Sequence, residues 1–134
     1  MENLLSLIDK MTHDYCEQLA ISLHIKTGLS VCAIYDVTER SYSWGTNYWA
    51  YFIKVKDDCY LNATGLNCES ELTNFWAEAW QSEDLIKNSR IIERMPQYNM
   101  YVNHSSNYIP GLEGPILPIV DQFADFLIRL HLNN

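Results

Sequence analysis

The sequence predicts an α+β fold: an N-terminal helix, a small antiparallel sheet, and a middle and a C-terminal helix packed around it. Three features of the pattern carry this expectation. Met11, Tyr15, Leu19 and Leu23 recur every four residues, as one face of a helix does. After Gly28 the period changes, with a short apolar run at 30–36 and alternation of Phe52, Ile53 and Val55 with Lys54 and Lys56. After Pro118 the helical period returns in Val120, Phe123, Leu127 and Leu130. A chain of 134 residues suits one domain, 1–134, burying about two-thirds of its unfolded surface.

Taken in order, the first helix is expected over 11–25, with Thr12 as its cap and Gly28 as a left-handed stop. Leu4, Leu5 and Ile8 suggest an earlier turn or short helix, continuous with it or separate. Residues 30–36 read as a buried strand, and 48–56 and 59–61 as a hairpin turning at Asp57 and Asp58. Asn62 to Gly65 should break that strand. A middle helix follows from Glu69 or Ser70 to Trp80, with Leu72, Phe75, Trp76 and Trp80 assigned to the core. Residues 90–95 and 97–102 read as two short strands that Pro96 confines to an edge or bend. A polar loop over 103–114 leads through Pro115 and Pro118 into the last helix, ending near Leu132, with Ile116 and Leu130 included in its apolar stripe.

Charge and cysteine content exclude several functions. The chain carries 9 Lys+Arg against 17 Asp+Glu, a net charge of -8, divided as -3 over 1–67 and -5 over 68–134. It has no basic cluster to neutralise phosphates, so direct nucleic-acid binding is not expected. No run of apolar residues is long enough to span a membrane, and the acidic, weakly apolar start is unlike a signal peptide, so a cytoplasmic location is expected. A reducing compartment would keep Cys16, Cys32, Cys59 and Cys68 as free thiols. Neither they nor His13, His24, His104 and His131 have the spacing of a zinc site, and phosphate-binding glycine loops and serine-hydrolase elbows are absent; no cofactor or metal is expected.

One thiol has a more specific context. The segment from Tyr15, Cys16 and Glu17 through Thr27, Gly28 and Leu29, together with Phe52 to Val55 and Tyr60 to Gly65, resembles small phage and mobile-element proteins of the papain-like (NlpC/P60-like) cysteine-hydrolase type. The resemblance covers the first half of the chain. It implies a Cys near a helix start that attacks a carbonyl, a His on a following strand that takes the thiol proton, and a polar residue on the next strand that orients the His. Here Cys16 fills the nucleophile position, but the His position falls on Trp49 or Ala50 and the Asp position on Asn62. Without a base the thiol stays protonated near neutral pH, so the resemblance implies a member that has lost the chemistry. A rescuing base would have to be His13, expected on the same helix face, or His104 from the polar loop; Cys16 with His104 is therefore the catalytic alternative.

The binding alternative rests on surface chemistry. Tyr42, Trp44, Tyr48 and Trp49 lie among small polar residues, a composition suited to a protein interface and equally to a loop folded over the core, and Tyr98, Met100, Tyr101, Asn103 and Tyr108 form a second patch open to the same two readings. Asp57, Asp58, Glu83 and Asp84 are paired acids suited to a basic partner surface. The expected function is a small, non-enzymatic inhibitor encoded by a phage or mobile element, anti-CRISPR-like in class, that occupies a host protein's basic surface. The enzymatic alternative is a papain-like hydrolase or transferase using Cys16.

Overall fold

The computed structural model describes residues 3–13, 15–36, 48–79, 88–93, 108–109, 112–113 and 116–132. Its elements are α1 (Leu4–His13), α2 (Cys16–Thr27), β1 (Val31–Asp36), β2 (Tyr48–Lys56), β3 (Cys59–Asn62), β4 (Gly65–Asn67), α3 (Glu69–Ala79), β5 (Ser89–Glu93), the short pair β6 (Tyr108–Ile109) and β7 (Leu112–Glu113), and α4 (Pro118–His131). This is the expected α+β class. Five strands form an antiparallel sheet in the order β4-β3-β2-β1-β5, with β6 and β7 paired separately.

Strand alternation divides the interior into two clusters. Val31, Ile53 and Leu61 join Leu19, Leu23, Val120, Phe123 and Leu127 under α2 and α4. Cys32, Ile34, Ala50, Phe52 and Tyr60 join Leu72 and Trp76 under α3. Helices therefore cover both faces of the sheet, and its central strands are buried on both sides. This explains why 30–36 reads as a continuous apolar run rather than an alternating one.

α2 lies between the sheet and α4, and Gln18 through Leu23 are all buried. Its polar residues recur every four positions toward α4. Gln18 Oε1 accepts the Leu117 backbone N–H at 2.9 Å, Ser22 Oγ donates to Asp121 Oδ1 at 2.8 Å, and Lys26 Nζ meets Asp121 and Asp125 at 3.3 and 3.0 Å. This seam satisfies buried polar groups and fixes the register of the two helices. Leu117 is extended, as a residue before proline should be, and Pro118 opens α4.

Several expectations need correction. The first helix is interrupted: Tyr15 N–H bonds back to Lys10 C=O at 3.2 Å, and α2 starts afresh at Cys16. Thr12 caps nothing, because it is buried inside α1 with its hydroxyl donating to Ile8 C=O at 2.7 Å. Gly28 is the left-handed cap expected, at φ 77°, with its N–H on His24 C=O. Asn62 to Gly65 does more than end β3; it folds the chain straight back into β4. Phe75, placed in the core by helical spacing, is 40% exposed and edges onto Trp76, and Leu130 is 61% exposed. The polar segment 103–114 contains the β6 and β7 backbones. The strand expected over 97–102 and the side chain of Trp80 lie outside the described residues. Among the described residues no helix is long and apolar enough to cross a membrane.

Candidate functional site

Cys16 is the first residue of α2, where the helix N-terminus meets the side of β2. The β2–β3 ladder ends at Ile53–Leu61, because β3 turns away at Asn62. The Tyr51 backbone of β2 hydrogen-bonds the Cys16 thiol.

A cavity of about 10 Å³ sits at this junction, lined among others by Thr12, Cys16, Ala50, Tyr51, Asn62 and Trp76. That volume is about one water's worth. Three positions singled out in the sequence, Cys16, Ala50 and Asn62, share this cavity although 34 and 46 residues separate the last two from the first. Ala50 is buried and offers no proton acceptor. The carbonyl oxygen of the Asn62 side chain is already engaged by the Thr64 N–H at 2.9 Å, the Thr64 hydroxyl at 2.7 Å and Asn67 Nδ2 at 3.1 Å. It closes the β3–β4 turn rather than orienting another side chain.

The local electrostatics oppose a thiolate. Burial pushes the Cys16 thiol up to about 11; backbone hydrogen bonds from Tyr51, Glu17 and Cys16 itself pull it partly back, and the Glu17 charge adds to the rise. Glu17 is itself raised to about 7 by burial. A helix N-terminus normally favours a thiolate, but here desolvation outweighs it.

The other anticipated residues divide into those placed and those not. His13 closes α1 while Cys16 opens α2, so the two do not share a helix face as expected. His104, Tyr42, Trp44, Glu83 and Asp84 lie outside the described residues, as do the side chains of His13, Tyr48 and Trp49. Tyr48 and Trp49 supply the first two backbone positions of β2. Tyr98, Met100, Tyr101 and Asn103 of the second patch are likewise outside, and Tyr108 contributes only backbone, to β6.

Asp57 and Asp58 form the exposed β2–β3 turn. Asp58 takes φ 52°, and its Oδ1 accepts the Glu69 N–H at the start of α3 at 2.8 Å. Asp57 faces Lys54 at 3.6 Å. Glu71 Oε1 accepts the Cys68 N–H at 2.8 Å, and the Cys68 backbone and thiol hold this carboxyl below its ordinary range. The charges of Glu69, Asp58 and Asp57 all raise the Tyr60 phenol, after burial and Cys32, which puts these carboxylates in one neighbourhood. Sequence reading finds the turn acids but misses Glu69 and Glu71 beside them, because only the fold brings α3 to the hairpin tip.

Among the described residues no three His, Cys, Asp or Glu side chains are grouped to hold a metal. No protein family, curated protein or solved structure matches the chain.

Proposed function

We propose that this chain is a non-catalytic protein-binding module that uses acidic surface to engage a basic surface on another protein, in the manner of small mobile-element inhibitors of host defence or nucleic-acid-binding proteins. The observation that carries the proposal is the condition of Cys16: a protonated thiol, hydrogen-bonded to backbone, facing a cavity of about 10 Å³. A net charge of -8 and the carboxylates of Asp57, Asp58, Glu69 and Glu71 around the hairpin tip supply the binding chemistry. Kinship with papain-like hydrolases is part of the reading, supported by the meeting of Cys16, Ala50 and Asn62 at one cavity. In that descent the acid-base residues are replaced and the pocket has closed.

Affinity-capture of a partner from nuclease-treated host extract tests the reading, using the wild-type chain, Cys16→Ala, and the charge-reversed pair Asp57→Lys with Glu69→Lys. Wild type and Cys16→Ala should retain the same basic protein. Its affinity should fall about tenfold or more between roughly 50 and 300 mM salt, because screening weakens complementary surface charge. The charge-reversed chain should lose it. Failure to retain any protein at low salt, or loss of retention in Cys16→Ala alone, would overturn the proposal in favour of thiol chemistry or neither.

A further inference from the structure

We propose that Cys59 and Cys68 form a redox-sensitive dithiol that closes to a cross-strand disulfide, pinning the start of α3 to the β3–β4 hairpin. β3 and β4 pair Asn62 with Gly65, Leu61 with Leu66 and Tyr60 with Asn67, so the next opposed pair is Cys59 with Cys68. The pair after that is Asp58 with Glu69, and these are in contact through the 2.8 Å hydrogen bond from the Glu69 N–H to Asp58 Oδ1. The two cysteines are therefore bracketed by contacts on both sides.

Opposed residues of an antiparallel pair project to the same face. Counting outward from the Asn62–Gly65 closing pair, hydrogen-bonded and open positions alternate, and a regular continuation one step past Tyr60–Asn67, where the ladder ends, puts Cys59–Cys68 at an open one, where opposed Cα atoms ordinarily approach to about 4.5 Å. That is inside the span a disulfide bridges, about 4.4–6.8 Å. Cys68 is the cap of α3, its carbonyl accepting the Leu72 N–H and its own N–H bound by Glu71, and a cap residue ordinarily keeps the extended backbone that continues a strand. Both thiols are free and partly exposed, and Cys68 Sγ rests 3.2 Å from Ser70 Oγ, a contact that the disulfide would replace.

The oxidant is a low-molecular-weight disulfide. One thiol of the pair attacks it and releases one small thiol, leaving a mixed disulfide. The second cysteine then displaces the other small thiol, so two protein thiols are oxidised, one small disulfide is reduced, and both protons leave on the small thiols. The link would join β3, which carries Asn62, to α3, which carries Trp76, two walls of the cavity at Cys16.

The test equilibrates the full-length chain in mixtures of reduced and oxidised glutathione, quenches with acid, then alkylates under denaturing conditions and digests with trypsin. Cys59 and Cys68 fall together in peptide 57–87, whereas Cys16 lies in 11–26 and Cys32 in 27–40. The expected result is that peptide 57–87 loses both alkyl groups and weighs two hydrogens less, while the other two peptides stay fully alkylated. Cys59→Ser and Cys68→Ser should each abolish the two-hydrogen loss. The proposal is overturned if peptide 57–87 keeps two alkyl groups at every poise, carries glutathione on both thiols, or becomes linked to either of the other peptides. The wild-type peptide decides the matter even where a variant folds poorly.

Discussion

At Cys16 and Glu17, two adjacent ionisable side chains start a helix, and burial works against the charge on each. Burial holds Glu17 near 7 and the thiol near 11. The Glu17 shift has a consequence for stability. A carboxyl whose pKa is raised on folding binds its proton more tightly in the folded chain, so stability is fully present below the unfolded value and is lost as pH rises through the folded one. The window runs from the ordinary 4.5 to about 7. Glu17→Gln should flatten the fall in thermal midpoint across that window and leave the variant more stable than wild type at pH 8. Midpoints measured from pH 4.5 to 8 check this, and parallel slopes in the two proteins would refute it. The residues that matter at this scale are only partly legible in the sequence. The order of residues points to Cys16, Ala50 and Asn62, but a hydrogen bond from the Tyr51 backbone depends on how α2 sits against β2, which no side-chain pattern encodes.

At the scale of elements, the β3–β4 hairpin reads in the sequence as a mere break, because Asn, Thr and Gly mark a turn without specifying the next element. Its geometry is demanding. Asn62 accepts three hydrogen bonds within the turn, so Asn62→Ala should cost about 1–2 kcal/mol, whereas Asn62→Asp keeps the acceptor and should change stability by less than about 0.5 kcal/mol. Denaturant melts of the two variants separate a turn role from a catalytic one. Gly65 takes φ +115°, and a Cβ there would stand 3.1 Å from the His131 ring of α4. Gly65→Ala should therefore destabilise by roughly 2–3 kcal/mol. Adding His131→Ala should restore less than about 1 kcal/mol, since it clears the contact and leaves the backbone strain. Full recovery in the double variant would mean that the ring alone requires glycine. The α1–α2 break is hidden for a related reason. The four-residue apolar repeat runs straight through it, because Met11 and Leu19 belong to one cluster whether or not the helix is continuous.

For the molecule as a whole, local period is a sound guide to class and a poor one to layering. A four-residue stripe on α2 looks amphipathic until α4 is seen to cover its other side, where Gln18, Ser22 and Lys26 form the polar seam. Phe75 and Leu130 show the converse, apolar residues in helical register that the layers leave at the surface. Four of the scattered acids, Asp57, Asp58, Glu69 and Glu71, come together only when α3 meets the hairpin tip. The central claim, that the Cys16 junction does no thiol chemistry, is tested most directly by the alkylation rate of Cys16 against pH in the folded chain, read on peptide 11–26. The thiol should react roughly a hundredfold more slowly than a free thiol at pH 8 and reach half its maximum rate only near pH 11. A half-maximal rate at or below pH 7 would contradict the claim and restore Cys16 as a nucleophile.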